Sequence, residues 1–121
     1  MIKLVFPGRP MSKDNCKIRN KQGYYYLPME YKEYEKNIQL QFIKQRPMGF
    51  QAFQGAVSLR VWVYFQDNRC LDISNAPKSV FDALSGFLYK NDKQISELHI
   101  FKCFDKAHPR IVIECEGIDL T

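Results

Sequence analysis

The sequence predicts an α+β fold, with a mixed β-sheet of about four strands and two main helices packed on it. Residues 56–65 alternate between apolar side chains and others, as a half-buried strand does. Apolar side chains recur at helical spacing over residues 28–46 and again over residues 76–87. With a length of 121 residues, the whole chain, 1–121, is expected to form one domain.

The first predicted strand covers residues 2–6 and is ended by Pro7 and Gly8. A polar, basic loop follows as far as Gly23. Residues 24–26 are three tyrosines, which form either an edge strand or the end of that loop. Beside basic residues they either stack on unpaired bases or pack half-buried on the sheet.

The long helix over residues 28–46 starts at Pro28, since proline suits a first helical turn, and Pro47 stops it. Four of its residues are expected on one buried face: Tyr31, Tyr34, Ile38 and Phe42.

In the strand over residues 56–65, one face carries Val57, Leu59, Val61, Val63 and Phe65. The shorter helix over residues 76–87 has a buried side formed by Val80, Phe81, Leu84, Phe87 and Leu88. Strands over residues 95–104 and 110–116 are expected to close the fold.

Composition points to a protein without a membrane partner. Hydrophobic residues make up 45% and charged residues 26%, as in ordinary globular proteins. No apolar run reaches the ~18 residues of a membrane span, and Pro7 interrupts the N-terminus too early for a signal peptide. A cytoplasmic location is therefore expected. The four cysteines lack zinc-site spacing and are interpreted as free thiols.

The positive charge is concentrated in one segment. The first 21 residues hold six basic side chains and one acidic side chain, so they account for the whole net charge of +5. Such a segment can follow a phosphate backbone. The alternative is a solvated loop whose charge only aids solubility. The candidate DNA-binding residues are Lys13, Lys17, Arg19 and Lys21, together with Asn75.

Acidic and basic side chains lie at both ends of the shorter helix. Asp72 precedes it, Lys78 lies in its first turns, and Asp92 follows it. Clustered carboxylates repel one another unless a cation lies between them, and hard oxygen ligands suit Mg²⁺ or Mn²⁺. In a basic chain, such a metal site indicates phosphodiester chemistry. No small-molecule substrate is expected.

Asp72 and Asp92 are the expected metal ligands, with Ser74 or Asp82 as a further candidate. As a catalytic cation, Lys78 would hold the scissile phosphate or stabilise the transition state. Asp82 either pairs with Lys78 across one helical turn or faces the metal. The alternative for Asp72 and Asp92 is helix capping and turn formation, which needs no metal.

The motif block runs Asp72-Ile73-Ser74-Asn75-Ala76-Pro77-Lys78, then Asp82-Ala83-Leu84, then Asn91-Asp92-Lys93-Gln94-Ile95. Its order resembles that of the RusA family of Holliday junction resolvases, small dimeric endonucleases of phages and prophages. The resemblance implies a homodimer that cuts branched DNA at four-way junctions, in recombination and repair. Two departures are present: Ser74 stands where the best-known members have a second aspartate, and Asn91-Asp92 replaces two acidic residues.

Three functions follow as hypotheses. The first is a Mg²⁺-dependent endonuclease selective for branched DNA. The second is a branched-DNA-binding protein in which Ser74 leaves cleavage weak or absent, and the third is a small interaction protein.

A helix of about twelve residues is about 18 Å long, which separates Asp72 from Asp92. The exit of the helix must therefore fold back, or a second subunit must complete the site.

Overall fold

The computed structural model describes residues 1–11, 18–19, 21–23, 25–26, 29–67 and 76–120; of residues 18–19 and 25–26 it describes the backbone alone. The two helices are α1 (Met29–Gln45) and α2 (Ala76–Leu84). The strands are β1 (Ile2–Pro7), β2 (Ile18–Arg19), β3 (Tyr25–Tyr26), β4 (Val57–Phe65), β5 (Ile95–Phe104) and β6 (Arg110–Gly117). A short 3-10 turn, Asp92–Gln94, precedes β5.

Four strands form one mixed sheet in the order β1-β6-β4-β5. Strand β6 is antiparallel to both β1 and β4, whereas β5 is parallel to β4. The two closing strands are thus consecutive in sequence but lie on opposite sides of β4. Strands β2 and β3 pair separately, so Tyr25 and Tyr26 belong to a short strand. The predicted α+β class and four-stranded mixed sheet are confirmed.

Both helices contribute to one hydrophobic core, together with one face of the sheet. All five residues predicted for the inner face of β4 are buried. Tyr31, Ile38 and Phe42 of α1 are buried as well, and Tyr34 is partly buried against the core. Burial of apolar surface stabilises the fold by roughly 25 cal/mol per Å². None of the helices in the described part of the chain is long and apolar enough to cross a membrane.

The side chain of Gln45 fixes the end of α1 to strand β1. Its Oε1 accepts a hydrogen bond from the Val5 N–H at 2.8 Å, and its Nε2 donates one to the Val5 carbonyl at 2.7 Å. The amide thereby takes the place of a neighbouring strand for this residue. An edge strand leaves such backbone groups unpaired, so Gln45 both satisfies them and orients α1 on the sheet.

Helix α2 is shorter than predicted, since it ends at Leu84 and not at residue 87. Gly86 has a φ of 88°, a left-handed conformation that glycine adopts easily and that ends helices. The Leu88 N–H donates to the Leu84 carbonyl at 3.0 Å, which closes the turn. Leu88 is still buried and Phe87 partly buried, so the predicted apolar side persists beyond the helix.

Candidate metal and DNA-binding site

Lys78 and Asp82 lie four residues apart on α2, and both are exposed. The buried side chains of the helix, among them Val80 and Leu84, face the core. The predicted polar stripe is therefore present at these two positions, because residues spaced by four lie on one helical face. Asn75, the third predicted member, lies outside the described residues.

After α2 the chain folds back along the helix. The Gly86 N–H donates to the Tyr89 carbonyl at 2.8 Å, which closes a tight turn. The Tyr89 side chain is fully buried, and its hydroxyl donates to the Phe81 carbonyl in α2 at 2.8 Å. The chain thus folds back after the helix, which is one of the two ways that were expected to bring Asp92 towards Asp72; Asp72 itself lies outside the described residues.

The phenol of Tyr89 is within electrostatic range of both Asp82 and Asp92. Burial is the main cause that raises its pKa far above the ordinary value of about 10, and the Asp92 carboxylate is the next cause. Asp82 also raises this pKa. Both carboxylates therefore lie within electrostatic range of the buried phenol, although ten residues separate them in the sequence. Asp82 is thus a second source of negative charge near Tyr89, besides Asp92.

The loop that carries Asp92 is capped by its neighbour Asn91. The Asn91 Oδ1 accepts a hydrogen bond from the Lys93 N–H at 2.8 Å, and Gln94 Oε1 accepts one from the Asn91 N–H at 3.1 Å. The second of these bonds belongs to a capping box around the 3-10 turn, in which the Asn91 side chain in return accepts from the Gln94 N–H. Asn91, and not Asp92, therefore caps this turn, and the Asp92 side chain is exposed.

Several predicted site residues lie outside the described part of the chain: Asp72, Ser74, Asn75, Lys13 and Lys17. Arg19 lies in β2, where only the backbone is described, and Lys21 is exposed in a turn. Within the described ranges, no group of three or more histidine, cysteine, aspartate and glutamate side chains could hold a metal. That search includes Asp82 and Asp92 but not Asp72.

The exposed carboxylates of Asp82 and Asp92 are of the kind that suits a hard cation. Asp82 and Asp92 offer carboxylate oxygens, the ligands that Mg²⁺ and Mn²⁺ prefer. Of the two described cysteines, Cys115 is buried, and burial raises the pKa of its thiol to about 12, so the thiolate that would bind a metal is disfavoured. Both Cys103 and Cys115 are free thiols, as predicted for the four cysteines.

Sequence reasoning assigned no role to Tyr89, Asn91 or Gln94. A signal for two of them was present, because an asparagine followed three residues later by a glutamine matches the pattern of a capping box. Tyr89 carried no such signal. Its role depends on a hydrogen bond to Phe81, which only the fold-back of the chain creates.

Replacing Tyr89 with phenylalanine should lower the free energy of unfolding by about 1–2 kcal/mol, because a buried hydroxyl loses its hydrogen bond while the ring keeps its packing. Urea unfolding would measure this. Tyr64→Phe is the control, since this ring is half-exposed and packs under Arg110. Equal stability of the two variants would show that the bond to Phe81 contributes nothing.

A family model described as Endodeoxyribonuclease RusA matches residues 7–116. The matched range includes the basic segment, both helices, the motif block and the closing strands. A search of curated proteins finds no match.

Proposed function

This chain belongs to the RusA family of endodeoxyribonucleases, and from that membership we propose that it is a Mg²⁺-dependent enzyme that resolves Holliday junctions in DNA recombination and repair. Family membership makes it a nuclease that hydrolyses phosphodiester bonds in DNA. The observation that supports the finer proposal is that Lys78 and Asp82 are exposed on one face of α2, while Asp92 is exposed in the turn that follows the fold-back of the chain onto this helix. The proposal takes residues 1–121 as one domain acting in the cytoplasm.

The proposed metal ligands are Asp72 and Asp92, with Ser74 or Asp82 as a further ligand. A bound Mg²⁺ or Mn²⁺ would lower the pKa of an attacking water and neutralise charge on the phosphate. The chain's own contribution is to hold the carboxylates in place before DNA arrives. Asp92 is presented by a capped turn, and Asp82 by a helix packed against the core.

Lys78 is the proposed partner of the scissile phosphate. Its ammonium is exposed on α2, one helical turn before Asp82. A cation there can stabilise negative charge as it develops on the phosphate oxygens. Asn75, just before the first residue of α2, is proposed to cap the helix, orient Asp72 and contact DNA.

The basic segment is proposed to bind the DNA backbone through Lys13, Lys17, Arg19 and Lys21. Six of the 18 basic side chains lie in the first 21 residues, against one acidic side chain. Phosphate contacts of this kind supply affinity and position the enzyme without reading the sequence. They leave the choice of substrate to the shape of the branched DNA.

A homodimer is proposed as the active form, because a two-fold enzyme matches the near two-fold symmetry of a four-way junction. Strand β5 supports a protein partner. Among the described strands it pairs only with β4, and it exposes Leu98, Phe101 and Phe104, the last with 52% of its surface accessible. Exposed apolar edge strands favour pairing with another chain. Sedimentation should give twice the chain mass of 14.3 kDa.

A second candidate function is branched-DNA binding with weak or no cleavage. Ser74 favours it, because a hydroxyl is a poorer metal ligand than the aspartate of the best-known members and adds no charge. Incubation with a mobile four-way junction, with and without Mg²⁺, separates the two functions. Cleavage that requires the metal supports the nuclease. Salt-sensitive binding without cleavage, converted into cleavage by Ser74→Asp, supports the binding protein instead.

A further inference from the structure

The side chain of Gln94 uses its full hydrogen-bonding capacity. A primary amide has two N–H donors and a carbonyl oxygen with two lone pairs. Gln94 Oε1 accepts from the Lys90 N–H at 2.8 Å and from the Asn91 N–H at 3.1 Å. Its Nε2 donates to the carbonyls of Phe53 and Gly55, both at 2.8 Å. A surface glutamine held only by water would not be fixed in this way.

These four bonds join two parts of the chain that are about forty residues apart. The segment that contains Phe53 is itself anchored, since the Phe53 N–H donates to the Leu88 carbonyl at 3.0 Å. The Phe53 ring also packs edge-on against Phe50, with 6.0 Å between centroids. Gln94 therefore ties the loop at residues 90–92 to a segment packed on the core.

Asp92 lies at the centre of the loop that Gln94 holds. On its N-terminal side, the backbone N–H groups of Lys90 and Asn91 are bound by Gln94. On its C-terminal side, the Lys93 N–H is bound by Asn91. The Asp92 backbone is thus restrained from both directions, while its carboxylate is exposed. The hydrogen bonds thus fix the backbone that carries the carboxylate and leave the carboxylate oxygens themselves exposed.

We propose that Gln94 is a positioning residue, which holds the Asp92 loop so that the carboxylate is already oriented when metal and DNA bind. The inference rests on the proposed function, because it takes Asp92 as a metal ligand. Without the amide, the loop must be ordered at the moment of binding, which lowers affinity. Loss of a residue that orients a metal ligand typically lowers metal affinity about 10–100-fold.

The test compares Gln94→Met with Gln54→Met. Methionine has a similar length but makes none of these hydrogen bonds. Gln54 is the matched control because it is exposed and its amide donates only to the Ala52 carbonyl, two residues away. Two quantities are measured for each variant: Mn²⁺ affinity by electron paramagnetic resonance, and the Mg²⁺ concentration that gives half-maximal junction cleavage.

In Gln94→Met, Mn²⁺ affinity should fall and the half-saturating Mg²⁺ concentration should rise, each by about 10–100-fold. Cleavage at saturating metal should largely recover, and junction affinity without metal should stay unchanged. Gln54→Met should match the wild type throughout. All assays are run at a temperature where circular dichroism shows every variant folded, so a lower melting temperature alone cannot produce this pattern.

If Gln94→Met does not fold, Gln94→Glu replaces it. That variant can still accept from Lys90 and Asn91 but loses both donations to Phe53 and Gly55. An added carboxylate attracts cations, so a weaker response to metal in this variant cannot come from its charge. It should also require more Mg²⁺ than the wild type.

Unchanged metal affinity and unchanged half-saturation in a folded Gln94 variant would overturn the inference, whatever happens to the melting temperature. That result leaves the proposed function intact, because the wild type would still cut junctions with Mg²⁺. A wild-type protein that shows neither metal binding nor metal-dependent cleavage overturns the proposed function and the inference together. The two failures are thus distinguished by the wild type alone.

Discussion

Replacing Asp92 with asparagine is expected to reduce Mg²⁺-dependent junction cleavage about 1,000-fold, while junction binding without metal stays unchanged. The substitution removes a charged ligand but keeps the size of the side chain. Losing a ligand of a metal that stabilises the transition state costs several kcal/mol, and about 1.4 kcal/mol corresponds to a tenfold change in rate. Asp72→Asn should have the same effect. Single-turnover cleavage and gel-shift binding measure the two quantities.

The fold should tolerate Asp92→Asn because the turn is capped by the side chains of Asn91 and Gln94 and not by that of Asp92. Glu114→Gln is the matched control. It removes one negative charge from β6, on the face of the sheet opposite the core-forming residues Ile113 and Cys115. A wild-type cleavage rate in Asp92→Asn, or an equal loss in the control, would refute the assignment of Asp92 as a metal ligand.

Changing Lys13, Lys17, Arg19 and Lys21 together to alanine is expected to give the second large effect, a loss of junction affinity with a flatter dependence on salt. Each phosphate contact that is lost should reduce the slope of log K against log salt by about 0.9. Fluorescence anisotropy over a series of salt concentrations measures the slope. The melting temperature should change little, because exposed substitutions usually cost under about 0.5 kcal/mol each.

The control for the basic segment removes four exposed lysines elsewhere: Lys32, Lys36, Lys44 and Lys106. Both variants lose the same charge, so long-range attraction to DNA falls in both. Only direct phosphate contacts distinguish them. An equal change of slope in the two variants would show that the net charge, and not the first 21 residues, determines DNA affinity.

Local pattern was enough to predict most of the elements. The alternation over residues 57–65 predicts β4, because successive side chains of a strand point to opposite faces, and the whole predicted inner face is buried. Apolar spacing predicts α1 to within one residue at each end. The end of α2 was misplaced by three residues, since the apolar side continues past Gly86 although the backbone leaves the helix there.

The candidate site could be predicted only in part. The order of acidic residues around a helix, with Lys78 inside it, indicated metal-dependent phosphodiester chemistry and the correct family. The spacing in the sequence, taken alone, predicted that Asp92 would lie far from the residues before the helix. The return of the chain to α2, three residues before Asp92, depends on the turn at Gly86 and the bond between Tyr89 and Phe81.

The amino-acid sequence by itself determined the two helices, the four strands of the main sheet, the concentration of positive charge and the motif block, because each depends on residues within one segment. Strand β2 was not predicted, since it lies in the segment expected to be a loop. Tertiary structure decided that β5 and β6 lie on either side of β4, and that Gln94 holds the Asp92 loop against Phe53 and Gly55. These contacts join groups that are roughly forty to sixty residues apart in the sequence. A hydrogen bond between them forms only after the chain has packed its core, so no local pattern of side chains specifies it.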